Sequence, residues 1–126
     1  MEKNKIVEIY VTLYSRTSFK GGRIWWPDRT KEQIIKVYNF LKRQLPVKEI
    51  KIWNENGKLY KKAKRWKVRA ITIELSKPLM IDHKEECEGI YKPVDRFLLK
   101  NNFPIYNMWG RSPGKSRWQM DGRHAH

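Results

Sequence analysis

The run Thr30-Lys31-Glu32-Gln33-Ile34-Ile35-Lys36-Val37-Tyr38-Asn39-Phe40-Leu41-Lys42-Arg43-Gln44-Leu45-Pro46 decides how this chain folds. Thr30 and Gln33 stand at capping-box spacing, where each side chain serves the other residue's backbone N–H, so a helix is predicted from Lys31. Ile34, Tyr38, Leu41 and Leu45 recur at helical intervals, with Ile35 and Val37 widening the stripe. Lys36, Asn39, Lys42 and Arg43 take the opposite side. Pro46 ends the helix, because a proline pushes the residue before it out of the α region.

Upstream of this helix, Val7, Ile9, Val11 and Leu13 alternate with Glu8, Tyr10, Thr12 and Tyr14, the period of a β-strand over 6–14. A loop over 15–28 follows, holding Gly21-Gly22 and Trp25-Trp26. Downstream, 47–53 reads as a second strand and Asn56-Gly57 as a two-residue hairpin turn. A third strand is expected to climb from Lys58, broken near Ala63 and Lys64, through Trp66 to Leu75, with Ser76 and Pro78 ending it. Asp82 and Glu85 read as a second N-cap with an acidic first turn. Cys87, Ile90, Tyr91, Val94, Phe97 and Leu98 then keep helical spacing to Asn101, and Gly89 and Pro93 inside that pattern predict a kink or two short helices. A last strand over 103–109 carries Pro104, which suits a sheet edge.

The order strand, helix, strand, strand, helix, strand is βαββαβ. Its simplest packing is a ferredoxin-like α+β fold, an antiparallel four-stranded sheet with two helices on one face. One domain over 1–109 is expected, followed by a basic, mobile tail over 110–126. At 126 residues, such a domain buries roughly two-thirds of its unfolded surface and holds without disulfides or a metal. Many unrelated functions use this frame, so function must be argued from side chains.

Charge is the first such argument. Lys and Arg number 28 against 13 acids, a formal net charge of +15. A compact domain so charged repels itself unless a partner compensates, and the commonest compensation is a phosphate backbone shedding its counterions. Thermophilic surfaces, by contrast, mix both signs in networks. DNA or RNA is therefore the expected partner. The single Cys87 excludes an intrachain disulfide and suits a reducing, intracellular (cytoplasmic) compartment. The N-terminal apolar run is too short for a signal peptide, and no stretch approaches the roughly 20 apolar residues of a membrane helix.

The strongest local signal lies at 58–69. Lys58, Lys61, Lys62, Lys64, Arg65, Lys67 and Arg69 give seven basic residues in twelve positions without an acid, interleaved with Tyr60 and Trp66. On a hairpin arm this pattern offers ammonium groups to phosphates and flat rings to bases, and it could equally lie in a duplex groove. Lysines also protect edge strands from aggregation, but one or two suffice for that. A second candidate is the loop with Arg16, Lys20, Arg23 and Arg29 around Trp25, Trp26 and the glycine pair, which would let a phosphate approach the backbone. The alternative is that both tryptophans pack beneath the loop. The tail adds Arg111, Lys115, Arg117 and Arg123 with Trp109 and Trp118, opposed by Asp121.

Three catalytic patterns compete with this reading. Pro27-Asp28 followed by Glu49-Ile50-Lys51 is similar to the PD…ExK layout of metal-dependent nucleases, although a helix separates the two halves where those folds have a hairpin. His124-Ala125-His126 resembles the paired histidines of nicking and replication-initiation enzymes, without a tyrosine after it. Asp82, His83, Glu85, Glu86, Cys87 and Glu88 cluster potential metal ligands, but capping explains the carboxylates and a fixed site wants three ligands. No P-loop, dinucleotide fingerprint, nucleophile elbow, zinc-finger spacing or RNP1 consensus is present, so no metal or cofactor is expected.

Lysine richness, a single cysteine and glutamine only at Gln33, Gln44 and Gln119 give the chain a composition that resembles small basic proteins of hyperthermophilic archaea and their viruses. That resemblance implies a virus- or plasmid-coded accessory protein, virion-associated if virus-coded. The leading expectation is a nucleic-acid-binding protein of low sequence specificity. A nuclease or nicking enzyme, and a structural or inhibitory protein with an acidic protein partner, are the alternatives.

Overall fold

The computed structural model describes residues 3–14, 16–17, 24–26, 28–61 and 63–113. Strand β1 (Asn4–Leu13) is followed by three short strands, β2 (Arg16–Thr17), β3 (Ile24–Trp25) and β4 (Asp28–Thr30). Helix α1 (Lys31–Gln44) leads to β5 (Val47–Trp53), β6 (Arg65–Lys67) and β7 (Ala70–Ile81). Helix α2 (His83–Glu85), a π-helical turn (Glu86–Tyr91) and α3 (Lys92–Lys100) run on continuously to β8 (Ile105–Arg111).

The architecture is α+β. The four long strands form one antiparallel sheet in the order β5-β7-β1-β8. Two small ribbons, β2/β3 and β4/β6, are additional to the expected element order. Ile9, Val11, Ile52, Ile71, Ile73 and Met108 of the sheet share a single buried cluster with Ile34, Val37 and Leu41 of α1 and Val94 and Leu98 of α3. The helices meet through Phe40 and Phe97, whose rings stack with centroids 3.9 Å apart.

Helix α1 starts where its capping box predicts. The Gln33 N–H donates to Thr30 Oγ1 at 3.2 Å, and the Thr30 N–H donates to Gln33 Oε1 at 2.8 Å. Ile35, expected to widen the apolar stripe, is exposed, because the packed stripe is centred on Ile34, Val37 and Leu41. Asp82 and Glu85 form the second capping box.

Four local expectations are corrected. The β1–β7 register shifts between Ile6 and Glu8, so Ile6 enters the core where strict alternation would place Val7. Ser76, Lys77 and Pro78 do not end the third strand. They lie exposed within that shift, and pairing resumes at Leu79 as far as Ile81, since a bulge tolerates a proline with no N–H to give. The turn after β5 spans Asn54–Gly57 rather than Asn56-Gly57 alone. Gly57 takes φ +75 while Asn56 does not adopt a positive φ, and Asn54 Oδ1 accepts from the N–H groups of Asn56 and Lys58. Among the described residues of 58–63 there is a lone bridge, Trp53 to Leu59, and no strand.

The irregularity expected at Gly89 and Pro93 takes the form of the π turn, in which the Lys92 N–H reaches back to Cys87 O. A proline ring clashes with the carbonyl four residues before it, and a widened turn just ahead of Pro93 relieves that contact. Strand β8 runs two residues beyond Trp109. Gly110 is buried and Arg111 is bonded to Glu8 across the sheet, so pairing with β1 carries this end into the domain.

Candidate nucleic-acid interface

The basic segment is joined to the described end of the aromatic loop. Ribbon β4/β6 pairs Asp28 with Lys67, Arg29 with Trp66 and Thr30 with Arg65, and the Lys31 N–H donates to Lys64 O at 3.0 Å. The Arg69 guanidinium then lies over the Trp26 ring, its Cζ 5.2 Å from the centroid. The two sequence candidates, the loop over 16–29 and the arm over 58–69, are thereby joined where Asp28–Thr30 pairs with Arg65–Lys67.

Lys58, Lys61, Lys64, Arg65, Lys67 and Arg69 are all exposed. Ion pairs join Lys48 to Glu74 and Arg111 to Glu8, and none of these six cations has a carboxylate partner among the described residues. Lys62, Lys20 and Arg23 lie outside the described residues, as do His124 and His126. Arg16 and Trp25 are backbone register partners in the β2/β3 pairing.

The rings within the arm have a different position from the cations. Tyr60 and Trp66 are half-buried against the core and meet edge to face at 5.7 Å, and the Tyr60 hydroxyl donates to Ala63 O at 3.0 Å. Trp66 Nε1 is shielded and has no hydrogen-bond partner among the described residues. Burial, and secondarily Glu32, push the Tyr60 hydroxyl pKa up; burial, then Tyr60 and Glu49, do the same for Tyr38. These rings brace the arm from beneath. Trp26 is likewise half-buried, its Nε1 donating to Leu13 O at 3.2 Å. Arg29 serves the frame: Nη2 donates to Asn102 O and the guanidinium lies 5.0 Å from the Phe103 ring centroid.

The sheet face turned away from the helices carries aromatic groups that the linear reading did not single out. Lys51, Thr72, Tyr10 and Trp109 lie in one row across the four strands, and Trp53, Ala70, Thr12 and Asn107 in the next. Between them runs a groove of about 380 Å³ lined by Tyr10, Thr12, Trp53, Ala70, Thr72 and Trp109, with Arg69, Asn54 and Gly57 at one end. Trp53 Nε1 donates to Thr72 Oγ1 at 2.9 Å, and the Tyr10 and Trp109 centroids are 5.5 Å apart. The Glu8, Tyr10, Thr12 alternation was the available signal. What it lacked was which face the helices would cover.

Of the catalytic patterns, Asp28 lies in β4 against β6, while Glu49 and Lys51 lie on edge strand β5. Asp82 and Glu85 are engaged in capping, and Cys87 Sγ sits 3.7 Å from His83 Nε2. No three of His, Cys, Asp and Glu converge to hold a metal ion among the described residues. Among the described residues, no helix is long and apolar enough to cross a membrane. No protein-family model matches the sequence, and comparison with curated proteins and with solved structures gives no significant match.

Proposed function

We propose that this chain binds nucleic acid with low sequence specificity through the basic arm 58–69 and the loop joined to it. One observation carries the reading: six described cations of the arm are exposed and make no ion pair with a carboxylate among the described residues, on a chain of net charge +15. Cations paired with acids would spend their field internally; unpaired ones release counterions from a phosphate backbone on contact. Lysine predominates over any planar arginine constellation able to read base edges, so binding is electrostatic and tolerant of sequence. The order β5-β7-β1-β8, with helical crossovers before β5 and before β8, supports reading the frame as ferredoxin-like, with the two ribbons as additions to it. The single Cys87 supports an intracellular setting.

The test is fluorescence anisotropy of labelled single- and double-stranded DNA and RNA over a range of salt concentrations. Binding with a log–log salt slope of several units is expected. Absence of binding at low salt, with capture of an acidic protein in its place, would replace this reading with the protein-partner one.

A further inference from the structure

We propose that the groove on the helix-free sheet face takes the bases of a single strand, so that the protein prefers single-stranded nucleic acid to duplex. This inference rests on the polyanion reading above and assigns its substrate class.

The groove's floor is made of short side chains, Thr12, Ala70 and Thr72, and its walls of rings, Trp53 on one side and Tyr10 with Trp109 on the other. A flat slot between rings accepts a planar aromatic group, and its volume of about 380 Å³ falls within the range of ligand sites. The walls are held in place. Trp53 is anchored by its bond to Thr72, and Trp109 rests against Tyr10, whose hydroxyl donates to Glu8 at 2.8 Å. Held rings cost little conformational entropy when a ligand stacks on them.

Position decides the occupant. A second groove of about 570 Å³, lined by Trp53, Gly57, Lys58, Leu59, Lys61 and Trp66, runs under the basic arm. Trp53 and Gly57 line both grooves, so the aromatic slot and the lysines share a wall. Arg69, a further cation, lines the aromatic groove itself. A polymer that alternates anionic groups with exposed rings matches this arrangement, with phosphates on Lys58 and Lys61 and a base stacked beside Trp53 or Trp109. A duplex offers the same phosphates but keeps its base faces stacked inside.

The experiment compares an oligothymidylate of about twelve nucleotides, an abasic strand of the same length and a duplex of the same length, by anisotropy at one fixed salt concentration. The intact strand is expected to bind roughly 5- to 150-fold more tightly than the abasic strand, the range given by one stacked base. Trp109→Ala is expected to lose that advantage while keeping its affinity for the abasic strand and its salt slope, and Trp109→Phe to restore most of it. Equal affinity for intact and abasic strands, a comparison that needs no variant, would overturn the groove and leave the polyanion reading standing. Tighter binding of the duplex would do the same. No binding of any of the three at low salt would remove the polyanion reading itself.

Discussion

The Arg69 guanidinium sits 5.2 Å from the centre of the Trp26 ring, and the backbone of the same arginine joins two strands of the main sheet. Its N–H donates to Trp53 O at 2.8 Å and its carbonyl accepts from the Leu13 N–H at 3.0 Å. One residue thus fixes the end of the basic arm to the aromatic loop and to both walls of the sheet's open end. An exposed guanidinium over the face of an indole contributes about 0.5–1 kcal/mol. Arg69→Met is expected to lower stability by about that amount, and a double-mutant cycle with Trp26→Leu to return a coupling of the same size. Additive effects in denaturant melts would show that the contact contributes nothing.

The basic residues of the arm carry the binding prediction. Lys61→Glu, Lys62→Glu, Lys64→Glu and Arg65→Glu together are expected to weaken binding at least tenfold. The log–log salt slope on single strands should also shrink by about 0.7 for each phosphate contact removed. Unchanged affinity and slope would place the interface elsewhere on the surface.

Thr30 closes the capping box that starts α1 and is the last residue of β4, where it pairs with Arg65 of the arm. Thr30→Ala removes the acceptor for the Gln33 N–H and is expected to cost about 1 kcal/mol in urea melts, whereas Thr30→Ser should be near neutral. Equal stability of both variants would mean that the ribbon, and not the cap, fixes the helix start.

Two buried or helical glycines should respond in opposite directions. A Cβ on Gly110 would meet the Tyr91 hydroxyl at 2.9 Å and two Ile6 methyl carbons at 3.0 Å, inside a packed core. Gly110→Ala is therefore expected to destabilise by about 1–3 kcal/mol. A Cβ on Gly89 meets nothing within 4 Å, and Gly89→Ala should stabilise by about 0.5–1 kcal/mol through the unfolded chain's lost freedom. Thermal melts of the two variants check the sign of each.

The Asp82 carboxyl is held below its ordinary pKa, chiefly by the Glu85 backbone N–H that it caps. A depressed folded-state pKa means that the cap's stabilisation is full above the unfolded carboxyl's pKa and fades as pH falls through the lower, folded value. Asp82→Asn keeps an acceptor without a titrating proton. The variant's stability is expected to vary less with pH than the wild type's on the acid side, in denaturant titrations at several pH values. Parallel profiles would remove Asp82 from the pH response.

Local chemistry wrote much of this fold into the sequence. Thr30 and Gln33, Asp82 and Glu85 cap helices through neighbours three positions away, so linear spacing suffices to find them. Ile9, Val11, Ile71 and Ile73 declare a buried face by period alone, and Lys58 to Arg69 declares its charge by composition. Tertiary structure decided whatever depended on distant partners. The shift that admits Ile6 to the core depends on how β1 meets the bulge at Ser76 to Pro78, which alternation within one strand cannot encode. The union of the arm with the aromatic loop depends on β4 pairing with β6, two segments separated by a helix and a strand. The slot between Trp53 and Trp109 needs four strands in register and both helices on the other face. Those rings lie 56 positions apart in the sequence and on the two edge strands of the sheet, with β7 and β1 between them, and only burial of the opposite face leaves both on the open one.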